Sequence, residues 1–279
     1  MPKLRRCINL SGAYIRCNIC SFYFAGAVIL FAFILYISVA DDFAAGFGEG
    51  IHYYLHFALL GKYKPFLTCV CAVPSILNFS REWRNEAFLY YYSRTGKISY
   101  SYAVCISSAF TSFITAVSGC VVFIVFLSFR EPFYPGNELL LSSCIEGYNY
   151  GILMQSGDYI LYYLFTVLLQ GVMTAFFSAA AVCISTVIID PYLSVISPII
   201  ISPFITKVMD IVGIAKVLNP EHVYNDARML SNLFNPDKTS SLSFYEIAYP
   251  YIYTVVAIAL FGILIHVSLN KKTERVARR

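Results

Sequence analysis

Histidines at helical spacing are the first candidates for chemistry in this sequence. His52 and His56 lie four residues apart, so they would share one face of a helix. Together with Glu49 or Asp42 they could supply ligands to a zinc ion. Because tyrosines surround them, we favour interfacial histidines in an aromatic stretch, and we expect no bound metal.

The other reactive residue types form no recognisable catalytic or cofactor motif. Cys17 and Cys20 make a CxxC pair, but the second ligand pair of a zinc site is absent nearby, so we interpret them as small hydrophobic residues at a membrane edge. The Gln-Ser-Gly segment at 155–157 lacks the GxSxG pattern of serine enzymes. Neither a GxxxxGK phosphate loop nor an HExxH zinc motif occurs. The sequence therefore predicts no enzyme activity and no cofactor.

The composition points to a chain that is surrounded by lipid. Of the 279 residues, 58% are hydrophobic and 13% are charged, whereas soluble domains carry roughly 25% charged residues. The charges occur in clusters that long uncharged runs separate, and a run of about 20 apolar residues suffices to cross a bilayer as a helix. We therefore predict an all-α polytopic membrane protein with a single transmembrane domain over residues 1–279.

Six apolar runs are candidates for membrane spans. The second is short and contains Pro74, and Pro198 and Pro203 interrupt the fifth, so both should be bent. None of the six runs contains Asp, Glu, Lys or Arg, and the nearest approach to an ion pathway is Lys207 with Asp210 beyond the fifth. The predicted spans cover about 17–40, 65–80, 100–127, 160–187, 193–206 and 248–269.

The distribution of lysine and arginine predicts the orientation. Both terminal tails, the 81–97 segment and the turn at 190 hold thirteen Lys and Arg, whereas loops 41–64, 130–158 and 207–246 hold seven. Basic loops stay on the cytoplasmic side. We therefore predict a multi-pass protein of the cell membrane with both termini in the cytoplasm, an even number of spans, and short interfacial helices in its loops.

The polar segment between the second and third spans is the most informative. A helix over about 82–92 would place Glu82, Glu86 and Tyr90 along one stripe, and Gly96 would end it before the third span. Two interpretations stay open: a solvated connector at the membrane interface, or a docking helix for a cytoplasmic partner.

A polar segment, a turn and a last span carry a resemblance to a known family: Glu82-Trp83-Arg84-Asn85-Glu86 with Tyr91, Ser93-Arg94 and Gly96-Lys97, then Ser185, Asp190-Pro191-Tyr192 and Pro198, and a last span within 245–265. In these residues and in layout, the chain resembles the membrane subunits of type-2 ABC exporters, the ABC-2 family. That family has six spans, cytoplasmic termini and a coupling helix between spans two and three. The polar segment lacks the glycine that the family often has near Glu86, and Asp190 stands where Asn is more usual.

The resemblance implies that this chain is a permease that works with a separate ABC ATPase subunit. Closure of the ATPase would push the coupling helix, and two permease chains, identical or different, would form the path for the substrate through the lipid. It implies no nucleic-acid partner. The candidate ATPase-docking residues are Glu82, Trp83, Arg84, Glu86, Arg94 and Lys97, and the candidate residues of the span four to five turn are Ser185, Asp190, Tyr192 and Pro198.

Two other classes of function stay open on sequence grounds. One is a non-transporting polytopic membrane protein, such as an immunity, anchoring or signalling component. The other is a membrane enzyme or an ion-coupled carrier, which the scarcity of ionisable residues in the spans disfavours.

Overall fold

The computed structural model describes residues 2–46, 50–134, 149–188, 190–212, 218–225 and 244–277. Within these ranges the chain forms helices and short connections, without a strand, which confirms the all-α prediction. The helices are α1 (Pro2–Ile19), α2 (Phe22–Ala45), α3 (Ile51–Leu60), α4 (Lys64–Arg84), α5 (Phe88–Thr95), α6 (Lys97–Ser128), α7 (Gly151–Gln155), α8 (Tyr159–Ser185), α9 (Pro191–Val212), α10 (Pro220–Asn225) and α11 (Phe244–Ala277).

In the part of the chain that the structure describes, four helices are long and apolar enough to cross a membrane: α2, α6, α8 and residues 247–274 of α11. These features are compatible with a multi-pass membrane protein. The predicted second and fifth spans lie in α4 and α9, which are not among the four; within the described side chains of α9, Pro191–Phe204 is a shorter apolar helix. A six-span topology therefore stays a prediction.

The chain enters the first apolar helix later than the sequence suggested. The predicted span began at Cys17, but α1 continues to Ile19 and α2 begins at Phe22. Ser21 separates them because its side chain caps α2, accepting a hydrogen bond from the Phe24 amide at 3.3 Å. The basic N-terminal segment, which was expected to be a tail, is therefore a helix, and α1 packs along α6.

Helix α8 lies at the centre of the bundle. In the most apolar 18-residue stretch of α8, 83% of the residues are buried, whereas in the corresponding stretch of α2 the share is 22%. Small residues allow neighbouring helices to approach α8 closely. At Gly171, a Cβ atom would lie 2.7 Å from the Phe113 ring of α6, so only glycine fits that crossing.

Buried hydroxyl groups join α4, α6 and α8 at the middle of the bundle. The Ser108 hydroxyl oxygen lies 2.8 Å from that of Ser75 and 2.7 Å from that of Ser178. A second link follows one turn along, where the Ser112 hydroxyl donates to the Cys71 carbonyl at 2.7 Å. Because Ser75 of α4 has its hydrogen-bond partners inside the bundle, this part of α4 does not need the uniform apolarity of a lipid-facing helix.

The bundle has two ends that differ in their connections. At the "α5 end", α4 ends and α6 begins on either side of α5, and α8 turns into α9. At the "α3 end", α2 is followed by α3 and α4 begins, so the predicted short helix between the first two spans is present. Helix α3 is largely buried against α2, α4 and α6.

Candidate functional site

The predicted coupling helix over 82–92 is instead two helices that meet at a turn. Helix α4 continues through Arg84, and α5 begins at Phe88. Glu86 takes a left-handed conformation with φ of 56°, and the Ala87 amide donates to the Glu82 carbonyl at 3.1 Å. This is the Schellman pattern, in which a helix ends because one residue reverses its backbone twist. The single stripe of Glu82, Glu86 and Tyr90 is therefore not formed.

Gly96 ends α5, as the sequence predicted. Its φ is 90°, and its amide donates to the Tyr92 carbonyl at 3.0 Å. Helix α6 begins at the next residue, so α5 is a separate eight-residue helix between two long ones. The α4–α5 turn and α5 together form the polar feature that the sequence singled out.

Trp83 is a core residue rather than an exposed docking residue. It is 2% exposed, and its ring stacks on Phe88 with centroids 4.6 Å apart. From α11, the Lys272 ammonium lies 4.0 Å from the Trp83 ring centroid and donates to the Trp83 carbonyl oxygen at 2.8 Å. Such cation–π contacts are attractive because the ring face is negative. We call the contacts among Trp83, Phe88 and Lys272 the anchor. The anchor fixes the end of α4, the start of α5 and the end of α11 to one another.

Glu82 also points into the protein. Its carboxylate accepts a hydrogen bond from the Tyr14 hydroxyl at 2.7 Å and one from the Tyr100 hydroxyl at 3.4 Å. Burial raises the pKa of Glu82, and the two tyrosine hydrogen bonds act in the opposite direction. Because Tyr14 lies on α1 and Tyr100 on α6, Glu82 joins three helices.

The other four candidate docking residues are exposed on or beside the turn: Arg84, Glu86, Arg94 and Lys97. The Arg94 guanidinium lies 4.2 Å from the Tyr90 ring centroid, so it covers an exposed aromatic ring. We call these four residues and Asn85 the "turn surface". The turn surface carries three basic side chains and one acidic side chain.

The α8–α9 turn is also built from the predicted residues. The Asp190 carboxylate accepts from the amides of Tyr192 at 2.8 Å and Leu193 at 3.0 Å, so it caps α9. Ser185 is buried and donates to the Val182 carbonyl at 2.7 Å. Pro198 lies inside α9, and Tyr192 is 73% exposed. Of the four predicted residues of this turn, Asp190 and Tyr192 are exposed and could be reached by a partner.

The histidine pair has the geometry of a structural feature. His52 and His56 lie on α3, and burial lowers the pKa of each to about 4, so both are neutral at pH 7. Among the residues that the structure describes, no group of three His, Cys, Asp or Glu could hold a metal ion. Glu49, one of the ligands considered on sequence grounds, lies outside the described residues.

Sequence reasoning missed three residues of this region: Tyr14, Tyr100 and Lys272. They are 68, 18 and 189 positions from their bonded partners in α4. The sequence offered only a weak signal for them, because Tyr14 lies in a segment that seemed to be a basic tail and Lys272 in another.

Comparison of the chain with protein-family models, with curated proteins and with solved structures yields no match.

Proposed function

We propose that this chain is the membrane-spanning permease subunit of an ABC exporter, which moves a substrate across the cytoplasmic membrane with ATP hydrolysed by a separate subunit. In this proposal the turn surface docks the ATPase from the cytoplasm. Two such chains form the path. The proposal joins the sequence resemblance to one observation, the exposure of a charged turn on a rigid anchor.

The anchored turn is suited to transmit a push. Arg84, Asn85 and Glu86 are exposed, while Trp83 and Phe88 on either side are buried. A force on the exposed residues therefore acts on α4 directly and on α11 through the Lys272 contact. Rigid-body movement of packed helices is a common way to open a path between two chains.

The six candidate docking residues have two different roles in this proposal. Arg84, Glu86, Arg94 and Lys97 would contact the ATPase because their side chains are exposed. Glu82 and Trp83 would be positioning residues because Tyr14 and Lys272 hold them inside the protein. The charge pattern on the turn surface calls for a groove on the partner with both acidic and basic groups.

The test is recovery of an ATP-binding-cassette ATPase with the tagged full-length chain from its own cells, in mild detergent. We expect Arg84→Glu and Glu86→Arg each to reduce the recovered ATPase by about tenfold, because one charge pair across an interface is replaced by like charges. The matched control is Arg130→Glu, an exposed charge reversal at the α3 end.

The control should recover the same amount of ATPase as the wild-type chain. If the two turn variants also do so, the turn surface is not the docking site. If the wild-type chain recovers no such ATPase, the exporter proposal fails and the non-transporting membrane protein becomes the better interpretation.

A further inference from the structure

A cavity at the α3 end lies between the beginnings of α4 and α8 and the short helix α10. It has two adjoining parts with volumes of about 300 Å³ and 40 Å³. The parts adjoin, because they share five lining residues: Leu60, Lys64, Met173, Tyr224 and Asn225. This cavity was not predictable from the sequence, because its walls come from helices that are distant along the chain.

The smaller part holds a buried amide that has no partner among the described residues. Gln170 is 5% exposed and lines this part, and its side-chain nitrogen has no hydrogen-bond partner. Lys64 lines the same space, where its ammonium contacts the Asn225 amide oxygen. An unsatisfied buried donor is costly and calls for an explanation. A bound acceptor group is the explanation that the position of Gln170 supports.

The size of the smaller part restricts the acceptor. A space of about 40 Å³ is enough for the two oxygen atoms of a carboxylate, since roughly 10–15 Å³ on the same measure holds one water molecule. The Lys64 ammonium supplies positive charge to this space. His56 also lines the space, but its lowered pKa of about 4 keeps it neutral at pH 7.

The larger part suits an apolar chain. Pro65, Met173, Phe177 and Pro220 supply apolar walls, and Leu60 lies at the exposed edge. Lys62 and Glu221 lie at the polar rim and offset each other in charge. The two parts therefore offer polar groups, Gln170 and Lys64, together with apolar walls, as pockets for small amphipathic ligands do.

We propose that this cavity binds a small amphipathic carboxylate, with its carboxylate between Gln170 and Lys64 and its alkyl chain along Met173 and Phe177. The site lies at the opposite end of the bundle from the turn surface. The proposal is therefore independent of ATPase docking and goes beyond the proposed function.

The test measures equilibrium binding of radiolabelled decanoate to the full-length chain in phosphatidylcholine nanodiscs, with binding to empty nanodiscs subtracted. We expect saturable binding at one site per chain, with acetate and decanol as weak competitors, because each lacks one half of the ligand. Gln170→Leu should weaken decanoate binding about tenfold through loss of the donor.

Two further variants keep the test decisive. Leu60→Trp should reduce binding by obstructing the exposed edge of the cavity, where folding does not depend on the side chain. Thr174→Val, one turn from Gln170 on α8, removes a buried hydroxyl outside the cavity lining and should leave decanoate affinity unchanged.

The thermal midpoint separates binding from folding. Gln170→Leu should not lower the midpoint of the ligand-free chain, because no hydrogen bond of the side-chain nitrogen is lost. The proposal is overturned if decanol competes as well as unlabelled decanoate, or if Gln170→Leu binds decanoate with wild-type affinity.

Discussion

The two ends of the bundle treat their buried polar groups differently. At the α5 end, Glu82 is bonded to two tyrosines and Lys272 is bonded to the Trp83 carbonyl. At the α3 end, the Gln170 nitrogen has no partner and lines a cavity. The first arrangement joins α1, α4, α6 and α11 through hydrogen bonds, whereas the second leaves an unmet donor in the wall of a cavity.

This difference suggests a division of labour within one helical domain. A surface that must transmit force benefits from an anchor of packed side chains, such as Trp83 against Phe88, because packed side chains transmit displacement. A surface that must accept a small molecule needs space and polar groups that the protein does not satisfy itself. The same three helices, α4, α6 and α8, connect the two ends through the buried hydroxyl groups of Ser75, Ser108 and Ser178.

Trp83→Ala, at the α5 end, should cause the largest loss of stability. We expect a loss of about 3–5 kcal/mol of stability, because the substitution leaves a cavity among buried aromatic rings and removes the cation–π contact. The measurement is the thermal midpoint of the purified chain in mild detergent.

Tyr90→Ala is the matched control at the same end. Tyr90 is 54% exposed, so its removal should change stability by less than about 0.5 kcal/mol. Equal midpoints for the Trp83 variant and the wild-type chain would show that the α5 end is not anchored in this way.

The helical class and several helix ends were predictable from the sequence because they depend on local signals. Long uncharged runs predict α2, α6, α8 and α11, and Gly96 marks the end of α5. The turn at Glu86 was not predictable from such signals, because a left-handed residue is usually marked by glycine and here it is a glutamate. The sequence therefore suggested one helix where two are found.

The contacts of the candidate site depend on tertiary packing and were not predictable. A tryptophan in a polar segment suggests an interfacial or docking residue. The contact of Trp83 with Lys272 of α11, which the sequence does not indicate, identifies Trp83 as part of the anchor. Burial of Glu82 likewise depends on α1, which resembles a flexible basic tail in the sequence. The capping role of Asp190 is different, because it follows from its place just before Pro191 at the start of a helix.

Acidification should lower the stability that the α3 end contributes and raise the stability that the α5 end contributes. The histidines of the α3 end have a folded pKa of about 4 and an unfolded value of 6.5, so the unfolded chain binds more protons and stability falls as pH drops through 6.5. Glu82 has a raised folded pKa, so the folded chain binds its proton first and stability rises as pH drops from that pKa to 4.5.

The pH dependence can be divided between the ends with two variants. From pH 7.5 to pH 5, we expect the two histidines to cost about 2 kcal/mol together, which allows for solvent screening. The double variant His52→Gln with His56→Gln should lose this acid sensitivity. Glu82→Gln should become more acid-sensitive than the wild-type chain, because it lacks the opposing gain. Identical pH profiles for all three chains would remove this contrast between the ends.

Lys272→Met should give the smallest effect and the sharpest localisation. Methionine preserves an apolar stem of similar length, but it removes the ammonium that lies over Trp83 and Phe88, so we expect a loss of about 1–2 kcal/mol. The loss should be local: trypsin should cleave after Arg84 several times faster than in the wild-type chain, while cleavage after Arg130 at the α3 end keeps its rate.

Lys271→Met is the matched control, because Lys271 is the exposed neighbour of Lys272, and it should change neither cleavage rate. If Lys272→Met accelerates cleavage at both ends equally, the contact stabilises the whole bundle, and the α5 end has no anchor of its own.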